Sequence, residues 1–71
     1  METTMPNIVK VIEVLAESPK SWEDAAVMAV AKAAETMHGI KSIYIKDFEA
    51  QVEKEKIINY RITAKLTFLL D

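Results

Sequence analysis

The sequence predicts an α+β subunit of β-α-β-β order, with a three-stranded antiparallel sheet (strand order 1-3-2) wrapped on one helix. Three observations carry this. Only residues 21–38, SWEDAAVMAVAKAAETMH, show the apolar period of an amphipathic helix. The segments on either side are rich in Val and Ile and read as strands. The last segment alternates, with Tyr60, Ile62, Ala64, Leu66, Phe68 and Leu70 set against Arg61, Thr63, Lys65 and Thr67, and only Leu69 breaks the polar series.

Taken in order, residues 1–7 read as a flexible N-terminal tail ahead of a single domain over residues 8–71. Residues 8–16 form the first strand, mostly apolar on both faces, as in a strand covered on both sides. Glu17, Ser18, Pro19 and Lys20 make the turn into the helix. Ser21 followed three residues later by Asp24 is a capping-box start, with the acid at the positive end of the dipole. Trp22, Ala25, Ala26, Ala29, Val30, Ala33 and Met37 then share one apolar face. The opposite side mixes Asp24, Lys32, Glu35 and His38 with Val27, Met28, Ala31 and Ala34, so the helix has two surfaces to cover.

Gly39, the only glycine, directly follows the last expected helical residue and is placed as its left-handed cap. Residues 40–52 form the second strand. Its apolar positions switch from odd (Ile43, Ile45) to even (Phe48, Ala50, Val52), which predicts a bulge near Lys46 and Asp47. Residues 53–56 lack the Asn-Gly or Asp-Gly of a tight turn, so a loop of about three to five residues is expected. Residues 57–70 form the third strand. The strand order 1-3-2 follows if the first strand pairs antiparallel with the third, the helix then making a right-handed crossover.

A chain of 71 residues is one small domain, and a domain this size buries only about 60% of its unfolded surface. The absence of cysteine excludes disulfides, thiolate metal sites and cysteine nucleophiles, and the single His38 cannot build a zinc site. Self-association is the remaining route to stability, and a hydrophobic content of 51% agrees with it. Lengths point the same way: a helix over residues 22–38 spans roughly 25 Å, whereas a strand over 57–70 spans roughly 46 Å. The overhang needs a neighbouring subunit. A net charge of −2 gives no electrostatic reason to expect nucleic acid. The first apolar run is broken by Lys10 and Glu13, unlike a signal peptide or membrane span, so the chain reads as soluble and cytoplasmic.

Val11-Ile-Glu-Val14, the block Ser18-Pro-Lys-Ser-Trp-Glu-Asp-Ala25, Ala33-Ala-Glu-Thr36, and Tyr60-Arg-Ile62 leading to Phe68 together resemble the dodecin family. The likeness covers nearly the whole chain, and the SPKSWEDA block is its specific part. The resemblance implies a hollow homododecamer of cubic symmetry that is not an enzyme and stores a flavin, riboflavin or FMN. It also implies that a Trp just after the helix stacks on the isoalloxazine ring, while a Gln after the third-strand Tyr holds its pyrimidine edge. In this chain those positions are Ser42 and Arg61. Serine has no π-face and arginine no acceptor, so flavin binding is expected to be weakened.

Other candidates have plain structural readings beside the functional ones. Trp22 reads as the core anchor of the helix start rather than a ligand platform, and His38 as a polar residue at the helix C-terminus. Asp47, Glu49, Glu53 and Glu55 read as a solvated strand edge, with a hard cation such as Ca²⁺ as the alternative. Arg61, Thr63 and Lys65, with Tyr44, are possible cavity-lining residues. As a cationic stripe they would draw an anionic metabolite. The leading expectation is flavin binding and storage by a homododecamer. The alternative is a similar oligomer without flavin, structural or binding an ion or another anionic metabolite.

Overall fold

The computed structural model describes residues 8–70; the expected tail over residues 1–7 lies outside the described residues. Four elements follow one another: β1 (Val9–Ser18), α1 (Trp22–Ala33), β2 (Ile40–Glu53) and β3 (Lys56–Leu69). The sheet order is β1-β3-β2, and both pairings are antiparallel, as the sequence predicts.

Strand β3 is central because it alone offers a long alternating face. Its Ile62, Ala64 and Leu66 are completely buried. Ala16, Val14 and Ile12 stand opposite them on β1, while Phe48, Ile45 and Ile43 do so on β2. The helix packs over this face through Ala25, its one fully buried residue, with Trp22 and Ala26 beside it. Small side chains at this contact let the helix backbone approach the sheet closely. The predicted inner face of the helix is the one that is turned inward.

The helix start is tied down twice. Ser21, extended at φ −174°, accepts a hydrogen bond from the Asp24 amide at 2.9 Å. The buried Ser18 hydroxyl donates to Asp24 Oδ2 at 2.6 Å and accepts from the Lys20 amide at 3.0 Å. Asp24 therefore bolts the first helical turn to the end of β1 as well as complementing the dipole. Trp22 reaches the other edge of the sheet. Its indole Nε1 donates to the Glu49 carbonyl at 2.9 Å, and its ring meets Tyr60 and Phe48 edge-on at 4.9 and 5.8 Å. Such aromatic pairs add about 0.5–1.5 kcal/mol beyond burial. The tryptophan is a structural strap.

Three expectations are corrected. The helix does not run to residue 38. It ends at Ala33, after which Glu35 and Thr36 bond back to the carbonyls three residues earlier, a tightening that closes the helix. Gly39 does have a left-handed φ of +76°, but five residues too late to cap the helix. It bends the chain into β2, and its carbonyl accepts the Leu69 amide at 3.1 Å. The β2–β3 connection is also tighter than expected. Lys54 and Glu55 form a two-residue turn with φ of 53° and 65°, the left-handed pair that a primed hairpin requires. Because β2 and β3 pair all the way to Glu53 and Lys56, the ladder itself imposes that geometry on residues that do not favour it.

The predicted bulge is present as a shift of register between Ile45 and Asp47, with further shifts at residues 40–42 and 51–52. The molecule measures 58 × 21 × 19 Å, whereas a helix of 12 residues covers roughly 18 Å. Large apolar side chains are left exposed on the helix flanks (Val27, Met28), on β1 (Val9, Val11, Leu15) and towards the hairpin (Phe48, Val52, Ile57, Ile58).

Ala25→Leu should overpack the helix–sheet contact and cost about 1–3 kcal/mol, while the same change at Lys32, whose side chain is 82% exposed, should cost much less. Urea unfolding midpoints measure both, and equal losses would show that the helix presents a different face to the sheet.

Candidate functional site

The face of the sheet turned away from the helix holds Ser42, Tyr44, Arg61, Thr63 and Lys65, together with Asp47 and Glu49. The register assembles it in rows. Glu17, Arg61 and Glu49 form one row, and Leu15, Thr63 and Asp47 the next. Glu13, Lys65 and Tyr44 follow, then Val11, Thr67 and Ser42. Period-two alternation puts these side chains on one surface, while the even positions of β3 face the helix.

Arg61 is held from both sides. Its Nε donates to Glu17 Oε2 at 2.7 Å, Nη2 lies 2.6 Å from the same oxygen, and Nη1 lies 3.6 Å from Glu49 Oε1. The hydrogen bond from Arg61, helped by Asn59 and the guanidinium charge, holds the Glu17 carboxyl below the usual range. The same hydrogen bond and charge raise Arg61, which is protonated at any relevant pH. Asn59 Nδ2 also donates to Gln51 Oε1 at 2.9 Å, extending the network towards the hairpin.

At the opposite end, the Ser42 and Thr67 hydroxyls lie 2.6 Å apart and share one hydrogen bond, which either can donate. Between the two ends, Lys46, the extra residue of the bulge, reaches Glu13 Oε2 at 3.5 Å. Tyr44, 62% exposed, is the aromatic side chain among these rows.

The geometry changes two readings of the sequence. Ser42 pairs with Thr67, six positions along β3 from Arg61, a separation of roughly 20 Å. A single small ligand cannot touch both in one chain; it would have to bridge two. Nor is Arg61, Thr63 and Lys65 a cationic stripe in its surroundings. Glu13, Glu17, Asp47 and Glu49 flank it, four carboxylates against Arg61, Lys65 and Lys46. That surface is close to neutral and slightly acidic.

The acidic candidates also separate. Asp47 and Glu49 lie on this open face, Glu53 pairs with Lys56, and Glu55 sits in the turn. Among the described residues, no three His, Asp or Glu side chains gather closely enough to hold a metal ion. Sequence reasoning did not find the Glu17 and Glu49 clamp on Arg61 or the Thr67 partner of Ser42. The available signal was Glu13 and Glu17 at like parity in an apolar strand, which the 1-3-2 order places beside β3.

Two shallow apolar grooves run along the helix. One, about 390 Å³, is lined by Val14, Leu15, Ala16, Met28, Ala29 and Lys32. The other, about 440 Å³, is lined by Ala26, Val27, Val30, Ala31 and Ile43. No helix among the described residues is long and apolar enough to cross a membrane.

Because Glu17 titrates at a lower pH when folded than when unfolded, its contribution to stability is full above the ordinary glutamate range. That contribution fades as pH falls through the lowered folded value. In Arg61→Gln the Glu17 carboxyl should titrate at higher pH than in the parent. NMR titration of the side-chain carboxyl carbon reads this directly, and coincident curves would contradict the clamp.

Comparison with known proteins fits this geometry. The dodecin family model matches residues 8–71. The calcium dodecin of Mycobacterium tuberculosis is 32% identical over 62 residues, 87% of each chain. The crystal structure of that protein, described as calcium-chelating with a novel calcium-binding site, superposes with a TM-score of 0.78 over 90% of this chain and 91% of its own. The dodecin of Streptomyces coelicolor superposes with a TM-score of 0.89, at 24% identity, over 96% of this chain and 97% of its own. The order of elements, the 1-3-2 sheet and the match over residues 8–71 agree: this chain belongs to the dodecin family.

Proposed function

We propose that this chain is a non-enzymatic, cytoplasmic binding protein that assembles into a closed oligomer of the dodecin type, a homododecamer, and that its ligand is a small ion, Ca²⁺ foremost, rather than a flavin. The observation that carries the reading is the state of the two flavin positions. The Ser42 hydroxyl is engaged with Thr67, and Arg61 is clamped between Glu17 and Glu49. Neither presents a ring or a free amide edge to an isoalloxazine.

Cation binding draws support from the 32% identity to a calcium dodecin and from Asp47 and Glu49 on the open face. Ca²⁺ takes six to eight oxygen ligands, so carboxylates from more than one copy would have to converge. The uncovered flanks of the helix and the exposed apolar residues of β1 support the self-association this requires.

A second reading keeps the flavin. Tyr44 is an exposed aromatic side chain beside Lys65, and it offers a stacking surface with a cation next to it. On that reading Tyr44, Thr63 and Lys65 line the ligand cavity.

Titration of riboflavin with the protein separates the two. No fluorescence quenching is expected from the parent. Ser42→Trp with Arg61→Gln, which restores a ring and an amide with both donor and acceptor, should quench strongly, and more than the two single variants combined. Tight quenching by the parent would favour the second reading. Calorimetry with calcium chloride should show saturable binding with less than one ion per chain, lost in Asp47→Asn with Glu49→Gln. The absence of calcium heat in the parent would remove the cation reading.

A further inference from the structure

Asp47 and Glu49 share the open face of β2, two positions and about 7 Å apart along the strand. They are not equivalent. Among the described residues Asp47 has no ion-pair partner, whereas Glu49 is drawn towards Arg61. Thr63, whose hydroxyl is a further oxygen donor, stands opposite Asp47 on β3. These donors are all oxygen, which suits a hard cation, and one chain supplies fewer than such an ion takes.

The clamp on Arg61 is lopsided. One oxygen of Glu17 meets both Nε and Nη2, at 2.7 and 2.6 Å. Glu49 meets only Nη1, at 3.6 Å, and its side chain is 60% exposed. At that separation the charges attract without a well-formed hydrogen bond, and an exposed pair of this kind contributes little. Glu17 therefore keeps Arg61 in place by itself, and Glu49 can turn away at small cost. Its choice lies between a guanidinium that never loses its charge and a cation beside Asp47. A monovalent ion offers Glu49 no more charge than the guanidinium it leaves. A divalent ion offers twice as much.

We infer that Arg61 is a built-in competitor for Glu49: a divalent cation bound at Asp47 and Glu49 draws Glu49 off the guanidinium. Arg61 thereby sets the affinity of the site and the charge class it accepts. It is not a ligand of the ion; it acts through Glu49, and Glu17 anchors it while Glu49 is away. This rests on the cation reading proposed above and assigns Arg61 a role in it.

The test is calcium calorimetry on Arg61→Gln beside Lys65→Gln. The two residues flank Thr63 on β3, and each variant removes one positive charge, but only Arg61 pairs with Glu49. Arg61→Gln should bind calcium about five- to tenfold more tightly than the parent, because a charge about 6 Å from the ion and a competing pair are both removed. Lys65→Gln, further off and screened at physiological salt, should gain about twofold or less. In the parent, the Arg61 guanidinium signals in NMR should shift with calcium chloride and not with potassium chloride at equal ionic strength. The Trp22 indole N–H, held by the Glu49 carbonyl, checks that each variant keeps its fold there. Equal affinities in parent and Arg61→Gln, or equal gains in the two variants, would overturn the competition and leave the cation reading standing. So would guanidinium signals that stay still under saturating calcium or move equally with potassium. Calcium heat absent from the parent and from Arg61→Gln alike would remove the cation reading, and this inference with it.

Discussion

Ile62, Ala64 and Leu66 are wholly removed from water because three elements close over them: β1 on one side, β2 on the other and α1 above. The rest of the structure depends on this burial. It makes β3 the central strand, and it sets the register that decides which residues meet on the reverse face. Alanine at position 25 lets the helix lie close enough to seal the contact. The same arrangement limits itself. One short helix covers one part of one face, so the apolar residues of β1, of the helix flanks and of the hairpin end stay in contact with water. Contiguous exposed apolar surface of this kind is typical of an interaction surface.

The open face of the sheet is organised by charge rather than by packing. Arg61 between Glu17 and Glu49, and Lys46 against Glu13, satisfy one another across strands. These pairs are exposed, and their value lies less in stability than in what they leave available to a ligand. A guanidinium already engaged by two carboxylates is a poor receptor for another anion. A hydroxyl tied to its neighbour is no stacking platform. Kinship in fold does not by itself transfer a ligand: the β-α-β-β frame is shared with the family, while the guest is selected by the side chains on this face.

Strand irregularities do part of this work. The bulge at Lys46 switches the inward set of β2 from Ile43 and Ile45 to Phe48 and Ala50, and it sends Lys46 across the sheet to Glu13. Beyond it, Phe48 comes into reach of Trp22, whose indole fastens the helix start to β2 through the Glu49 carbonyl. One inserted residue thus serves both faces.

What the sequence by itself determined is the part governed by periodicity and local chemistry. The alternation of residues 60–70, the 3.6-residue stripe from Trp22 to Ala33, the Ser21 cap and the parity switch at Lys46 each follow from side chains a few positions apart. The order of the strands was legible too, since only β3 can be sandwiched. Tertiary structure decided what depends on pairing over long separations. Arg61 meets Glu17 across 44 positions of sequence, a contact set by register and invisible to any local pattern. The tight Lys54 and Glu55 turn, against the preference of both residues, is imposed by the ladder on either side of it. The helix stops at Ala33, before its sequence pattern does, and the left-handed Gly39 turns the chain into β2 instead of capping that helix. In each case a local preference worth a fraction of a kcal/mol to about 1 kcal/mol is outweighed by many hydrogen bonds and contacts formed together.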